Sequence, residues 1–342
     1  MTEIKSGPAF ALVEGSELVA VMRRDGAKAE DYARRHGVPR WYDDADRLIG
    51  DPLVDAVYVA TPPSSHAEYT IRAALAGKPV YVEKPMALSY AQCLKMIDAC
   101  QAAEVPLFVA YYRRRLPLFV RAKELLDAGA IGPPRAVSIT LMQPPPRIGG
   151  DPAGMPWRLR PETSGGGLFF DLGSHMLDIA DFLLGPIVSA DGEATNQGGL
   201  YQAEDSVSAA LRFHSEVVGT GLWCFSSGEE EQEDRIEITG TKGRLSFPVF
   251  GEPVLTVRAA GGPVGGHRAA GGDGAAADDE TVEETVGARR LTFENPQHVQ
   301  QPLIRSVVDQ IRGRGACPST GESAARTARV MDQVVKGWRA RT

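Results

Sequence analysis

The 342-residue sequence is short of cysteine, of long apolar runs and of positive charge, and each shortage removes a class of protein. Its four cysteines, Cys93, Cys100, Cys224 and Cys317, form no CxxC pair and no regular framework. That pattern fits reduced thiols rather than a disulfide scaffold, and the seven-residue step from Cys93 to Cys100 suits the buried face of a helix better than a ligand pair; no metal is expected. No window approaches the roughly 18 apolar residues that a membrane span needs. The N-terminus has no cationic segment followed by an apolar stretch, so the sequence predicts a cytoplasmic protein. A formal net charge of -7 argues against a nucleic-acid partner, and the run Arg113–Arg115 is too local to reverse that.

What is present is an ordinary globular composition, 43% hydrophobic and 24% charged, at a length that favours two domains. From residue 18 to 110 strand and helix signals alternate: "LVAVM", a helix over "AKAEDYARRH" ended by Gly37, a short helix from Asp43 or Asp44 through Ile49, "AVYVAT", a helix over 64–76, "PVYVE", a helix after Ser89, and "PLFVA". Short β-branched and aromatic runs separated by helices predict βαβ units and a parallel sheet, with ligands at the carboxyl ends of the strands. Beyond a helix over 116–128 come longer strand candidates with few helices between them, which predict a large, open, mainly antiparallel sheet. One helix is expected over about 171–184 and two more near 297–313 and 321–338. The Pro- and Gly-rich stretch 143–167 is too long for a plain connector, and the low-complexity stretch 259–280 reads as a disordered surface insertion. The expected domains are 1–115, Rossmann-type and dinucleotide-binding, and 116–342, an α+β substrate-binding and oligomerisation domain whose final helices can pack back on the first.

Three motifs carry chemistry. In "VYVEKPMALS", Lys84 follows a buried strand directly and precedes Pro85, whose peptide bond can be cis. There Lys84 either points into solvent or, partly desolvated, gives and takes a proton. In "SGGGLFFDLGSHMLDIADFLLG", three glycines let the backbone pass close to something, and Asp171 and His175 fall four apart at a helix start, either as an acid and an imidazole over one substrate or as a helix-start acid and a core histidine. In "VAVMRRD", Arg23 and Arg24 fill the turn where an acid would select the ribose of NAD, and they either bind the 2′-phosphate of NADP or are solvated flanking charges. The turn "ATPPSSH" either passes beneath a cofactor or is only a sharp strand-to-helix turn.

On "VYVATPPSSHAEYTIRAALAGKPVYVEKP", "YYRRRLP", "IGPPRAV" and "PWRLRPETSGGGLFFDLGSHMLDIADFLLG", the chain resembles the Gfo/Idh/MocA oxidoreductase family over nearly its whole length. The resemblance implies that Lys84, Asp171 and His175 are catalytic. It implies that Thr61, Pro62, His66, Glu83 and Lys84 lie on the cofactor side, and that Tyr112, Arg114, Trp157 and Arg158 line the substrate cleft. With Arg23 and Arg24, NADP is expected as cofactor, NAD remaining possible, and the partners are a sugar or polyol-like substrate and a second copy in a homo-oligomer.

The rival functions are an NAD-dependent glycosidase of the same family and a non-catalytic ligand-binding protein. In the family, a strand and a glycine-rich turn precede the first helix, which "TEIKSGPAF" resembles. Two expectations follow: either the natural start lies upstream of Met1, or the chain is a truncated form that folds poorly and binds its cofactor weakly.

Overall fold

A computed structural model describes Glu3 and residues 6–148, 154–259, 280–285 and 287–341. Most of the low-complexity stretch, residues 260–279, lies outside the described residues. The chain divides into two units, one of residues 1–112 and 297–328, the other of residues 113–296 and 329–342.

In the first unit short parallel strands alternate with helices: α1 (Gly7–Ala11), β1 (Ala20–Met22), α2 (Gly26–His36), β2 (Arg40–Tyr42), α3 (Ala45–Ile49), β3 (Val57–Val59), α4 (His66–Leu75), β4 (Val80–Val82), α5 (Tyr90–Ala102) and β5 (Leu107–Val109). The strands form two hydrogen-bonded sets, β1 beside β2 and β3–β4–β5. Local chemistry sets the helix ends. The carboxylates of Asp25 and Asp44 and the hydroxyl of Ser89 accept from the amides of Lys28, Arg47 and Gln92, satisfying donors that a helix start leaves open. Gly37 closes α2 with φ +65°, a conformation that costs a residue with Cβ about 1 kcal/mol or more. Every residue of β4 and β5 is buried, as expected of strands covered on both faces. The helix Gln301–Ile311 also belongs to this unit and packs on α1.

The second unit opens with α6 (Pro117–Asp127), followed by β6 (Pro134–Met142), the helix Ser174–Leu184, β7 (Ile187–Thr195), β8 (Ser206–Phe213), β9 (Val218–Cys224), β10 (Glu233–Gly240), β11 (Gly243–Phe247), β12 (Val254–Ala259), β13 (Thr281–Thr285) and β14 (Ala288–Thr292). These strands make one nine-stranded sheet in the order β13-β14-β12-β11-β10-β6-β9-β8-β7, antiparallel except where β6 meets β9. Period-two burial explains its two faces. In β8, Val207, Ala209, Leu211 and Phe213 are buried while Ser208, Ala210 and Arg212 are exposed. The buried face packs aromatics such as Phe119 on Phe247 and Phe169 on Trp223.

Two expectations need correction. The helix expected from about residue 171 begins at Ser174, because Phe169–Gly173 form a wider π-type turn in which the Phe169 ring lies against Gly173. Strands β2, β12, β13 and β14 were not predicted. The last two form a charged edge hairpin, "TVEET" and "ARRLT", with no apolar alternation to read.

Candidate active site

In the first unit, the loops that leave β1, β3 and β4 at their carboxyl ends carry the residues with chemistry. After β4 comes Glu83, a carboxylate only 5% exposed yet fully engaged: Tyr58 Oη donates to Oε1 at 2.5 Å, Gln300 Nε2 donates to the same oxygen at 2.8 Å, and the Lys84 amide donates to Oε2 at 3.3 Å. Gln300 is itself held, since Tyr81 Oη donates to its Oε1 at 3.3 Å. Burial and the charge of Glu83 push the phenols of Tyr58 and Tyr81 well above their ordinary value, so at neutral pH they donate rather than ionise. Lys84 follows, half-buried, and its bond to Pro85 is cis, as the sequence allowed.

After β3, Thr61 Oγ1 is buried and makes no hydrogen bond among the described residues. After β1, Arg23 and Arg24 are exposed, and neither guanidinium closes an ion pair among the described residues. Neighbouring cations, by contrast, are spent: Lys28 on Asp25, Arg40 on Asp51, and Arg47 near Asp43. An idle hydroxyl and two idle guanidinium groups on the loops at the carboxyl ends of parallel strands fit a phosphorylated dinucleotide, which needs donors in those places.

His66 requires a correction. Expected on the cofactor side, it is 0% exposed, and its ring is used up by the protein: Nδ1 lies 3.0 Å from the Pro85 carbonyl oxygen and Nε2 lies 2.7 Å from that of Thr61. Its imidazole therefore reaches no ligand directly.

In the second unit, Asp171 sits in the π-type turn, where its Oδ2 lies 3.2 Å from Arg158 Nε. The Arg158 guanidinium lies 4.5 Å over the Trp157 ring, so these three residues form one partly exposed cluster. His175, in the first turn of the helix that follows, is buried and meets the Phe250 ring edge-on at 6.0 Å. Phe250 is fixed from two sides. Asp234 accepts from the amides of Val249, Phe250 and Gly251 at 2.6–2.9 Å, and Arg113 lies over the Phe250 ring while its Nε donates to the Val249 carbonyl.

The glycine run ahead of Asp171 is a close approach rather than a spacer. A Cβ on Gly167 would stand 2.5 Å from the Glu204 carbonyl oxygen, and one on Gly166 would stand 2.2 Å from the Phe170 ring. Buried Glu204 accepts from the Gly167 amide at 2.8 Å, while Arg339 donates to the Gly165 carbonyl and lies over the Phe170 ring. Burial is the dominant influence on Glu204 and pushes its carboxyl up to about 7.

Arg114 is the second correction. Expected to line the substrate cleft, it is buried and committed to the helix Ser174–Leu184: Nε and Nη2 donate to both oxygens of Asp178 at 2.9 and 2.7 Å, and Asp181 lies 3.4 Å away. Two acids in the otherwise apolar "HMLDIADFLL" were the available signal for a buried cation. Tyr112 is buried as well. Sequence reasoning missed Tyr58, Gln300, Asp234 and Glu204, whose partners are distant in the chain.

Among the described residues no cluster of His, Cys, Asp and Glu suits a metal, and no helix is long and apolar enough to cross a membrane. Residues 5–111 match the family model described as oxidoreductase family, NAD-binding Rossmann fold, and residues 119–246 match the GFO/IDH/MocA C-terminal domain. An oxidoreductase of Formosa agariphila is 34% identical over 332 residues, 97% of this chain and 94% of that protein. The 1,5-anhydro-D-fructose reductase of Ensifer adhaerens is 28% identical, over 90% of this chain and 84% of its own. Among solved structures, the aldose-aldose oxidoreductase of Caulobacter crescentus, complexed with glycerol, aligns with a TM-score of 0.79 at 27% identity, covering 98% of this chain and 93% of its own.

Proposed function

The chain belongs to the Gfo/Idh/MocA family of oxidoreductases, and from that premise we propose that it is a cytoplasmic, NADP-preferring dehydrogenase or reductase acting on a CH–OH or carbonyl carbon of a sugar or polyol. The observation that carries the reading is Lys84: a half-buried amine at the carboxyl end of a fully buried parallel strand, its backbone tied to a carboxylate that Tyr58 and Gln300 hold in place. When bound, the nicotinamide supplies a two-electron donor or acceptor for hydride.

The chain's own residues handle the proton and the placement. Lys84 gives a proton to the reacting oxygen in reduction and takes it back in oxidation, and in the second unit His175 and Asp171, the latter oriented by Arg158, are the further acid–base groups. Trp157 and Arg158 offer an aromatic face and a cation to a hydroxylated, anionic or anhydro ligand. Thr61 and Pro62 take the dinucleotide, and Arg23 and Arg24 take its 2′-phosphate. The relationship to an enzyme named for 1,5-anhydro-D-fructose supports testing anhydro and keto sugars first. The open face of the nine-stranded sheet, with exposed Val218 and Leu222 among polar neighbours, supports a homo-oligomer built on it.

The test is a panel of anhydro, keto and polyol substrates with NADPH, NADP⁺ and their NAD counterparts, followed by Lys84→Met on the best pair. The expected result is a loss of turnover of at least about 100-fold with NADPH fluorescence titration unchanged. Full turnover in Lys84→Met, or none with any substrate, sinks the reading. A monomer in sedimentation velocity sinks its oligomer part.

A further inference from the structure

His66 opens α4 with its ring wholly buried, and both ring nitrogens face carbonyl oxygens, Thr61 O at 2.7 Å and Pro85 O at 3.0 Å. A carbonyl oxygen only accepts. The two contacts are therefore hydrogen bonds together only when both nitrogens carry a proton. A neutral ring leaves one lone pair against a carbonyl oxygen at hydrogen-bond distance, which is repulsive.

The two carbonyls belong to different loops. Thr61 lies on the turn after β3, and Pro85 follows Lys84 on the turn after β4. One buried ring thus spans the loop expected beneath the cofactor and the loop that carries the proposed acid–base lysine. The groups that face it set its charge. Burial is the largest influence and lowers the ring's proton affinity below its ordinary value, while the carbonyls of Thr61 and Pro85 and the field of the buried Glu83 carboxylate oppose it. It is the short approach of both ring nitrogens to carbonyl oxygens that calls for the second proton. Tyr58 and Tyr81, packed against Glu83, stay neutral and add no competing charge.

We propose that His66 is a positioning residue, a buried imidazolium neutralised by Glu83, whose two N–H groups lock the Thr61 turn to the Lys84–Pro85 turn. The inference rests on the reading that Lys84 is the acid–base group and Thr61 meets the cofactor. The Glu83 network fixes one side of the Lys84 backbone, and His66 fixes the other.

Two measurements on the full chain test it. In uniformly ¹⁵N-labelled protein at pH 7, a long-range proton–nitrogen spectrum, with His66 assigned from the signals lost in His66→Gln, should show two protonated-type ring nitrogens. One pyridine-type nitrogen overturns the proposal. The second measurement is competitive acetylation of Lys84 against pH, read by mass spectrometry, with NADPH titration beside it. His66→Gln has one donor group and one acceptor, and it cannot donate along both directions at once. It should displace the midpoint of Lys84 acetylation and weaken NADPH about tenfold, the scale of a small misplacement at a reacting centre. A folded His66→Gln with the wild-type midpoint and the wild-type NADPH affinity also overturns it. If that variant does not fold, the signals are assigned by labelling histidine alone and replacing the other histidines in turn, and the ring nitrogens of the wild-type protein decide. Full turnover in Lys84→Met with the two-proton His66 signature intact would refute the functional reading while leaving the imidazolium tie in place.

Discussion

Replacing Glu204 with glutamine removes a charge and keeps the shape, and the consequence has a definite sign. In the folded chain burial raises the carboxyl of Glu204 from an ordinary 4.5 to about 7, with the Gly167 amide and Arg339 opposing the rise. A group whose folded value lies above its unfolded value contributes stability that is present below the unfolded value and lost as pH rises through the folded one. For Glu204 the window runs from about pH 4.5 to about pH 7. The difference corresponds to about 3 kcal/mol at about 1.4 kcal/mol per tenfold change in proton affinity. Glu204→Gln keeps an oxygen to accept from the Gly167 amide and has nothing to ionise. The variant should match the wild type near pH 4.5 and exceed it by ~3 kcal/mol at pH 8. Paired urea titrations at pH 4.5, 6 and 8 read the difference, since every other titrating group is common to the two proteins and cancels. A stability difference that stays constant from pH 4.5 to 8, or one that favours the wild type at pH 8, refutes the reasoning.

Two further outcomes concern charge. Arg23→Ala combined with Arg24→Ala should weaken NADPH at least about tenfold and leave NADH within about twofold, because each guanidinium is idle in the free protein and a charge-assisted bond to phosphate contributes about 1.5–3 kcal/mol; fluorescence titration of both cofactors checks it, and an equal loss for the two disproves a 2′-phosphate role. Arg114→Leu leaves Asp178 and Asp181 buried without their cation and should cost about 3–5 kcal/mol of stability by urea unfolding; a stable variant whose only defect is a raised KM would return Arg114 to the substrate side.

The alternating architecture of the first unit was legible because its signals are local. "VYV" at 57–59 and again at 80–82 marks strands whatever surrounds them, and Asp44, Ser89 and Gly37 announce helix ends through bonds that span three or four residues. Lys84 was legible for the same reason, as the residue that leaves a buried strand. What supports Lys84 was not. Gln300 reaches Glu83 across 217 positions, and no periodicity in either segment encodes that approach. His66 and Arg114 were placed by motif on ligand sides, and both turned out to serve the protein interior. A motif records a residue type at a position, and a side chain that ties segments together inside the protein fits that record as well as one that touches a ligand. Strand β13 was illegible because an edge hairpin is kept soluble by charge on both faces, which erases the alternation that betrays a strand.

These misreadings share a physical cause that bears on how the candidate site works. Loops carry the reactive groups, and a loop has few apolar contacts to hold it. Here the holding is done by ionisable groups, buried in the case of Glu83, Glu204 and Arg114 and half-buried in that of Asp234. Glu83 fixes the Lys84 backbone, Asp234 gathers three amides beside Phe250, Glu204 pins the glycine run ahead of Asp171, and Arg114 anchors the helix that bears His175. Burying a carboxylate or a guanidinium is unfavourable unless its partners are well placed, and replacing such a pair with apolar residues is often neutral or stabilising. Apolar packing would hold these segments with less loss, but it is non-directional and tolerates sliding. A carboxylate that accepts two or three amides tolerates almost none, because each displaced donor leaves a desolvated charge. Placement of a reacting group to a fraction of an ångström is what proton transfer requires. It follows that Glu204→Gln, which relieves one of these buried charges, should gain stability at pH 8 without loosening Gly167, since the glutamine oxygen still takes the amide. Glu204→Leu should lose the register of the glycine run even where it unfolds later, and hydrogen exchange at the Gly167 amide separates the two variants.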